Sequence, residues 1–174
     1  TPIEIEYLEV RNHLHKIKKA IRSGSIYEIG RFQGNFSQYT IIIRYTGEKN
    51  SNMAYETERV IQFFKPDIMI LVGISGGIKD VKIGDVVVGT KVYNYVSSKE
   101  YSTNSKARPE LIYFDNELLE NVQSILRTTK WDNSNNSSNR KAKIHFGSIA
   151  SGDKLISSTK SSLFKFLKLH YGML

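Results

Sequence analysis

An apolar run that ends in a cluster of glycines constrains the fold of this chain more than any other stretch. The run Leu71–Ile78 reads LVGISGGI, and a second apolar run begins at Val86 after a short charged segment. This profile is typical of a buried strand that leads into a ligand-binding loop. Glycines at 73, 76 and 77 let a ligand approach bare backbone and its N–H groups. A tight strand exit without a ligand is the alternative that the pattern leaves open.

Length and composition restrict the class of protein. The chain has 174 residues, 40% of them hydrophobic and 24% charged, which predicts one soluble globular domain with a real core. Its longest apolar runs are shorter than a bilayer span, and its charged N-terminus does not resemble a signal peptide. The absence of cysteine excludes disulfides, thiolate catalysis and cysteine metal sites. It favours the cytosol, so we expect a cytoplasmic protein without membrane association.

The net charge of +8 points to several classes of anionic partner. Nucleic acid, an anionic membrane surface and phosphorylated small molecules all attract a basic protein. The basic residues are spread along the chain rather than gathered in one block, so we do not expect a nucleic-acid partner. An AT-rich genome that favours lysine explains the charge equally well.

The first half of the chain predicts a helix, a hairpin, a second helix and a buried strand. Apolar residues three and four positions apart indicate the helices, and an uninterrupted apolar run indicates a strand covered on both faces. The predicted elements are a helix over 3–22 that ends at Ser23-Gly24-Ser25, strands over 26–32 and 39–45, a helix over 51–64 that ends at Lys65-Pro66, and a strand over 67–72.

The second half continues the alternation of strands and helices, which indicates an α/β fold with a mostly parallel sheet. Polar stretches at 97–109 and 131–140 are predicted to be surface loops. The predicted regular elements are a strand over 85–95, a helix over 115–128, a strand over 143–149, and a last helix capped by Ser158 or Thr159.

Few residues outside the glycine loop have a local signature of chemistry. The loop lacks both the Gly-Lys-Ser/Thr ending of a P-loop and the G-x-G-x-x-G spacing of a dinucleotide site. The four histidines are expected to be structural or exposed, and no metal site is predicted; they are His13, His15, His145 and His170. Asp153 either caps backbone N–H groups or shapes a pocket, and Glu6 suits the first turn of a helix.

Three segments in order resemble the nucleoside phosphorylase superfamily, and most closely its methylthioadenosine/S-adenosylhomocysteine nucleosidase branch. Residues 65–87 match the family's K-P-D, buried strand, G-x-A-G-G and K-x-G-D-hydrophobic-V pattern. Residues 149–156 resemble its S-G-D-x-F-I segment, and residues 6–11 resemble the helix that carries a catalytic glutamate. The likeness extends to nucleosidase-like domains fused to signalling or defence modules in bacteria.

The resemblance implies a three-layer α/β/α fold around a mixed, mostly parallel sheet. It implies cleavage of the N-glycosidic bond of a purine nucleoside or nucleotide, by water or by phosphate and without a cofactor; Glu6 and the missing loop serine favour water. Glu6 matches the glutamate that positions and deprotonates the attacking water. The remaining matches are predicted to bind the substrate: Ser75, Gly76 and Gly77 at the base and ribose, Leu155 and Ile156 at the purine, and Asp153 beside them. The resemblance further implies a homo-oligomer, fusion to further domains and a role in bacterial defence.

The sequence departs from the family's pattern at three positions and in its extent. Ile74 stands where many relatives have a serine, Lys49 replaces a glycine, and Leu155 replaces a phenylalanine. The chain of 1–174 is expected to be one domain that is incomplete at both ends. It stops before the family's Met-Glu ribose segment and its acidic residue, so we expect this stretch alone to lack catalytic competence. A non-catalytic sensor of adenine nucleotides is the alternative hypothesis.

Overall fold

A computed structural model describes residues 1–95, 98–100, 105–107, 110–129, 141–154 and 156–170. The described residues form an α/β arrangement of helices with one mixed sheet and two antiparallel sheets. The helices are α1 Glu4–Asn12, α2 Asn50–Phe64, α3 Asn116–Thr128 and α4 Ser162–His170. The strands are β1 His15–Arg22, β2 Ser25–Gln33, β3 Gln38–Ile43, β4 Val86–Asn94, β5 Ser98–Glu100, β6 Ser105–Ala107, β7 Glu110–Tyr113 and β8 Ile144–Ser151. The chain divides into two compact units, Thr1–Ser75 and Gly76–Leu174.

The first unit contains an antiparallel sheet in the order β1-β2-β3. The predicted helix over 3–22 was correct only for its first half, because residues from His15 onward form β1. Arg22 pairs with Ser25 across a two-residue turn, in which Ser23 and Gly24 both have positive φ, 46° and 78°. A turn with two positive φ angles matches the twist of paired strands. The Ser-Gly pair therefore joins two strands rather than ending a helix.

The predicted β2–β3 hairpin and the second helix are both confirmed. β2 and β3 pair antiparallel around the turn at Gly34. The core of this unit includes Tyr27 on β2, which is fully buried and meets the ring of Phe64 edge-on with centroids 5.0 Å apart. α2 ends at Lys65, which adopts a left-handed conformation with φ 45°. The predicted Lys65-Pro66 helix end is therefore correct.

The predicted buried strand over 67–72 is wrong in the described structure. These residues form no strand, and the apolar side chains of Ile68–Val72 are between 45% and 74% exposed. An uninterrupted apolar run predicts burial only when neighbouring strands cover it. The sheet of the first unit ends at β3, and no described strand pairs with this run.

The second unit contains a mixed sheet in the order β7-β4-β8. β4 and β8 were both predicted, and they pair in parallel, whereas the unpredicted β7 is antiparallel to β4. Parallel pairing places Asn94 opposite Ser151, so the carboxyl ends of β4 and β8 lie side by side. β5 and β6 form a small antiparallel pair inside the region predicted to be a loop.

The helices of the second unit have defined N-caps. The side chain of Asp115 accepts a hydrogen bond from the N–H of Leu118 at 2.8 Å, as expected at the start of α3. α4 is capped by Ser161, whose hydroxyl accepts from the N–H of Phe164 at 3.1 Å, and not by Ser158 or Thr159. The loop predicted over 131–140 lies outside the described residues. Among the helices that are described, none has the length and apolarity needed to cross a membrane.

Candidate active site

Glu6 is buried at the start of α1, with 6% of its surface exposed. Its Oε2 accepts a hydrogen bond from the N–H of Ile3 at 3.0 Å, which satisfies one free donor of the first helical turn. Its Oε1 accepts from the N–H of Ile74 at 2.6 Å. The carboxylate therefore caps the helix and also binds the glycine loop 68 residues away in sequence. The helix-terminus role and the loop-binding role coexist.

Gly73 lets the carboxylate of Glu6 come this close to the loop. A Cβ atom placed on Gly73 would lie 3.1 Å from Oε1 of Glu6. The backbone of Gly73 does not have a positive φ, so the contact and not the conformation explains the glycine. Ile74 contributes its N–H here, while its side chain is 73% exposed. The replacement of serine by isoleucine thus leaves the backbone contact intact.

A second buried carboxylate holds α1 against the sheet. Glu28 on β2 accepts a hydrogen bond from Nε of Arg11 at 2.6 Å, and it also interacts with the hydroxyl of Tyr7. Burial and this carboxylate raise the pKa of Tyr7 to about 12. Burial alone would raise the pKa of Glu28, but the hydrogen bonds from Arg11 and Tyr7 hold that pKa below its ordinary value. These contacts fix the helix that presents Glu6.

A second ion pair fixes α2 in the same unit. Nε and the amino group Nη2 of Arg44 donate to the two oxygens of Glu56 at 2.9 and 3.1 Å. The guanidinium also lies 5.5 Å from the centre of the Tyr27 ring. Lys49 precedes α2 with φ 81° and ψ 146°, a backbone region that favours glycine. Lys49 replaces the family's glycine, but its backbone keeps a conformation that glycine adopts more easily.

The other predicted substrate residues are divided between the two units. Ser75 is exposed near the end of the first unit. In the second unit, a Cβ on Gly76 would meet no atom within 4 Å, whereas one on Gly77 would lie 2.3 Å from Cγ2 of Val81. Asp153 is exposed after β8. Ile156 is half-buried, and Leu155 lies outside the described residues.

Tyr95 is a residue of this region that the sequence did not single out. It follows β4, its N–H donates to the carbonyl of Ser151 at 3.1 Å, and its hydroxyl donates to the carbonyl of Lys154 at 2.8 Å. The signal that could have identified Tyr95 is its position: an aromatic residue just after one parallel strand, opposite a glycine just after the neighbouring strand. That signal requires the strand pairing, which the sequence alone leaves open.

His145, which was expected to be structural or exposed, lies on β8 beside the carboxylate of Asp85. Nε2 of His145 lies 3.1 Å from Oδ2 of Asp85. The oxygens of Asp85 also accept from the N–H groups of Lys82 and Lys143 at 3.0 and 2.9 Å. This arrangement joins the starts of β4 and β8. Within the part of the chain that is described, no group of three or more metal-ligating side chains comes together.

A groove in the second unit does not coincide with the predicted site. It lies between β4, β7 and α3 and has a volume of about 490 Å³. Thr90, Lys91, Tyr113 and Glu120 are among the residues that line it, and none of the predicted substrate residues does.

The comparison with protein families identifies the chain. The sequence model of the phosphorylase superfamily matches residues 5–171. The chain belongs to this superfamily. The 5'-methylthioadenosine/S-adenosylhomocysteine nucleosidase of Exiguobacterium sp. is 26% identical over 141 residues, which cover 74% of this chain and 53% of the relative. The nucleosidase of the same name from Listeria innocua is 27% identical over 158 residues, which cover 88% of this chain and 62% of the relative.

Solved structures of such nucleosidases share the fold. The enzyme of Neisseria meningitidis, in complex with methylthio-immucillin-A, matches with a TM-score of 0.75 and 22% identity over 99% of this chain and 70% of its own. The nucleosidase of Streptococcus pneumoniae, in complex with 8-aminoadenine, matches with a TM-score of 0.74 and 18% identity over 99% of this chain and 69% of its own. The chain spans about half the length of the curated relatives it matches.

Proposed function

We propose that the protein hydrolyses the N-glycosidic bond of an adenine nucleoside or nucleotide. The observation that carries the proposal is the buried Glu6 carboxylate, oriented by the N–H groups of Ile3 and Ile74 beside a glycine loop. Membership of the phosphorylase superfamily and similarity to named nucleosidases support this choice of reaction. Adenine is the proposed base because the sequence relatives are named for methylthioadenosine and S-adenosylhomocysteine, and both of these compounds contain adenine.

Glu6 is proposed to act as the general base that positions and deprotonates water. Each of its oxygens accepts one backbone hydrogen bond and keeps a lone pair for a further donor. Removing a proton from water as it attacks the sugar carbon makes the nucleophile stronger. The negative carboxylate would also stabilise the positive charge that develops on the ribose in an oxocarbenium-like transition state.

The glycine loop and the segment after β8 are proposed to bind the substrate. Neither a positive φ nor a packing contact requires glycine at 76, because a Cβ there would meet nothing within 4 Å. Close approach of a ligand to the backbone is the remaining reason for a glycine at that point. Ser75, Gly77, Asp153 and Ile156 are assigned to the same role, and Leu155 stays a prediction.

The wider features of the proposal concern the whole protein. We propose a three-layer α/β/α fold with a mostly parallel sheet, a single domain over 1–174, a homo-oligomeric assembly and a cytoplasmic location. The parallel pairing of β4 and β8 supports the mostly parallel sheet. The exposed apolar run Ile68–Val72 supports additional strand pairing or subunit contacts, because these would bury it. Fusion to further domains and a role in bacterial defence stay predictions.

A panel of substrates tests the proposed reaction. The whole protein is incubated with methylthioadenosine, S-adenosylhomocysteine, adenosine and ATP, and free adenine is measured by chromatography. Release from at least one of them is the expected result, at a rate independent of added phosphate and with a second product whose sugar carries a hydroxyl and no phosphate at C1. Release that requires phosphate would contradict hydrolysis. Tight binding of adenine nucleotides without any release would instead identify a sensor.

A further inference from the structure

We propose that Tyr95 is a positioning residue that fixes the backbone of Ser151–Lys154, the segment that leads into the proposed purine-binding residues. The inference rests on the proposed function for its link to the purine. Its structural part rests only on contacts within the second unit. Tyr95 itself would touch neither the base nor the reacting atoms.

Tyr95 donates two hydrogen bonds to this segment, one from its backbone and one from its side chain, at the segment's two ends. Its N–H donates to the carbonyl of Ser151 at 3.1 Å and thereby extends the parallel pairing of β4 and β8 by one step. Its hydroxyl donates to the carbonyl of Lys154 at 2.8 Å. One residue thus holds the chain at the last position of β8 and again three residues later.

The ring of Tyr95 packs over the glycine between these two anchors. A Cβ on Gly152 would lie 2.4 Å from both Cε2 and Cζ of the ring, closer than any side chain tolerates. Gly152 does not have a positive φ, so its backbone conformation would accept other residues. The glycine is therefore required by the ring and not by the turn.

The hydroxyl of Tyr95 is suited to donate a hydrogen bond at every physiological pH. Burial and the neighbouring negative charge of Asp153 raise the pKa of Tyr95, so its hydroxyl stays protonated throughout the physiological range. A neutral phenol donates one hydrogen bond, and the carbonyl of Lys154 receives it. The direction in which the chain leaves β8 toward Ile156 is therefore set by a side chain from β4's end.

Removal of the hydroxyl tests the anchor at Lys154. In Y95F, backbone amides between 152 and 156 are expected to exchange hydrogen faster, while those of β8 keep their protection. Adenine binding is expected to weaken about two- to tenfold, the effect of one lost hydrogen bond. In turnover, KM should rise and kcat should stay within about twofold, because the proposed base Glu6 is untouched. Y113F is the matched control, since Tyr113 lies 70% exposed on the same sheet.

A double-mutant cycle tests the packing of the ring on Gly152. G152A is expected to weaken adenine binding more than Y95F, because the added methyl group displaces the ring. Without the ring, the new methyl group has room. The loss of adenine affinity from Y95A to Y95A/G152A should therefore be much smaller than the loss from the wild type to G152A. Additive effects of the two changes would overturn the proposed contact.

The readouts separate this inference from the proposed function. If the wild-type protein binds no adenine and releases none, the proposed function fails, and hydrogen exchange in Y95F still decides whether Tyr95 fixes the segment. If adenine binds but Y95F alters neither exchange at 152–156 nor affinity, the positioning role is wrong. A loss of thermal stability equal in Y95F and Y113F, with no local change in exchange, would also contradict it.

Discussion

The carboxylate of Glu6 and the backbone N–H of Ile74 form a 2.6 Å hydrogen bond between the first helix and the glycine loop. The same carboxylate satisfies the N–H of Ile3 through its other oxygen. Because both oxygens are held by backbone groups, the orientation of the side chain is coupled to the position of the loop. Any change that moves the loop backbone near Gly73 should therefore also move the carboxylate of Glu6.

We predict that G73A reduces activity by displacing the Glu6 carboxylate. The new Cβ would lie 3.1 Å from Oε1, which is tighter than an ordinary contact, and the 2.6 Å bond to Ile74 leaves that oxygen little freedom to retreat. Base release should fall at least tenfold, and the urea midpoint should also fall. Wild-type rates in a stably folded G73A would contradict the coupling.

G76A is the matched control for this prediction. A Cβ at Gly76 meets no atom within 4 Å and φ is not positive, so the substitution should leave stability unchanged or raise it by about 0.4–1 kcal/mol. If a ligand lies against this glycine, KM should nevertheless rise. Unchanged stability together with unchanged KM would remove Gly76 from the proposed site.

We predict that K49G makes the protein more stable. Lys49 is exposed and has φ 81° and ψ 146°, a region that costs a residue with a side chain about 1–3 kcal/mol. Glycine avoids that cost but gains entropy in the unfolded state, so a net increase of about 1 kcal/mol is expected in the free energy of unfolding. Urea unfolding measures it, and K65A, which keeps a side chain at a left-handed position, should show no gain. A decrease in K49G would contradict the strain.

We predict that stability falls at acid pH through Glu28. Its pKa is lower in the folded protein than in the unfolded chain, so its contribution is present above the unfolded pKa of about 4.3 and is lost as pH falls through the folded pKa. The raised pKa of Tyr7 acts at the other end, where stability is lost between about pH 10 and the folded value of about 12.

Thermal midpoints recorded between pH 7 and 3 test the acid prediction. E28Q should have a lower midpoint at pH 7 and a flatter dependence on pH than the wild type. E9Q removes an exposed carboxylate from the same part of the fold and should keep the wild-type slope. An E28Q curve parallel to the wild-type curve would show that another group controls acid unfolding.

The sequence predicted the elements whose pattern is local. α2, α3, the β2–β3 hairpin, β4 and β8 all follow from spacing, caps and turn residues. The second half of the helix predicted over 3–22 was wrong, because these residues pair with β2 and their spacing of apolar residues is also possible in a strand. The apolar run at 67–72 predicted burial, which depends on neighbouring strands and so on the rest of the fold.

The sequence predicted some residues of the candidate site and missed others. Glu6 was named from a resemblance, but its contact with Ile74 spans 68 positions and no spacing rule reports such a contact. Tyr95 was missed because its partner Gly152 becomes adjacent only when β4 and β8 pair in parallel. Long-range pairing is therefore the information that the sequence pattern lacked.

The most direct test of the account is adenine release by E6Q compared with the wild type and E4Q. The amide of Gln keeps one acceptor but cannot take a proton from water, so the rate should fall by about 10²–10⁴. Glu4 lies exposed in the same helical turn, and E4Q should retain the wild-type rate. A folded E6Q protein that releases adenine as fast as the wild type would contradict the assignment of Glu6 as the base.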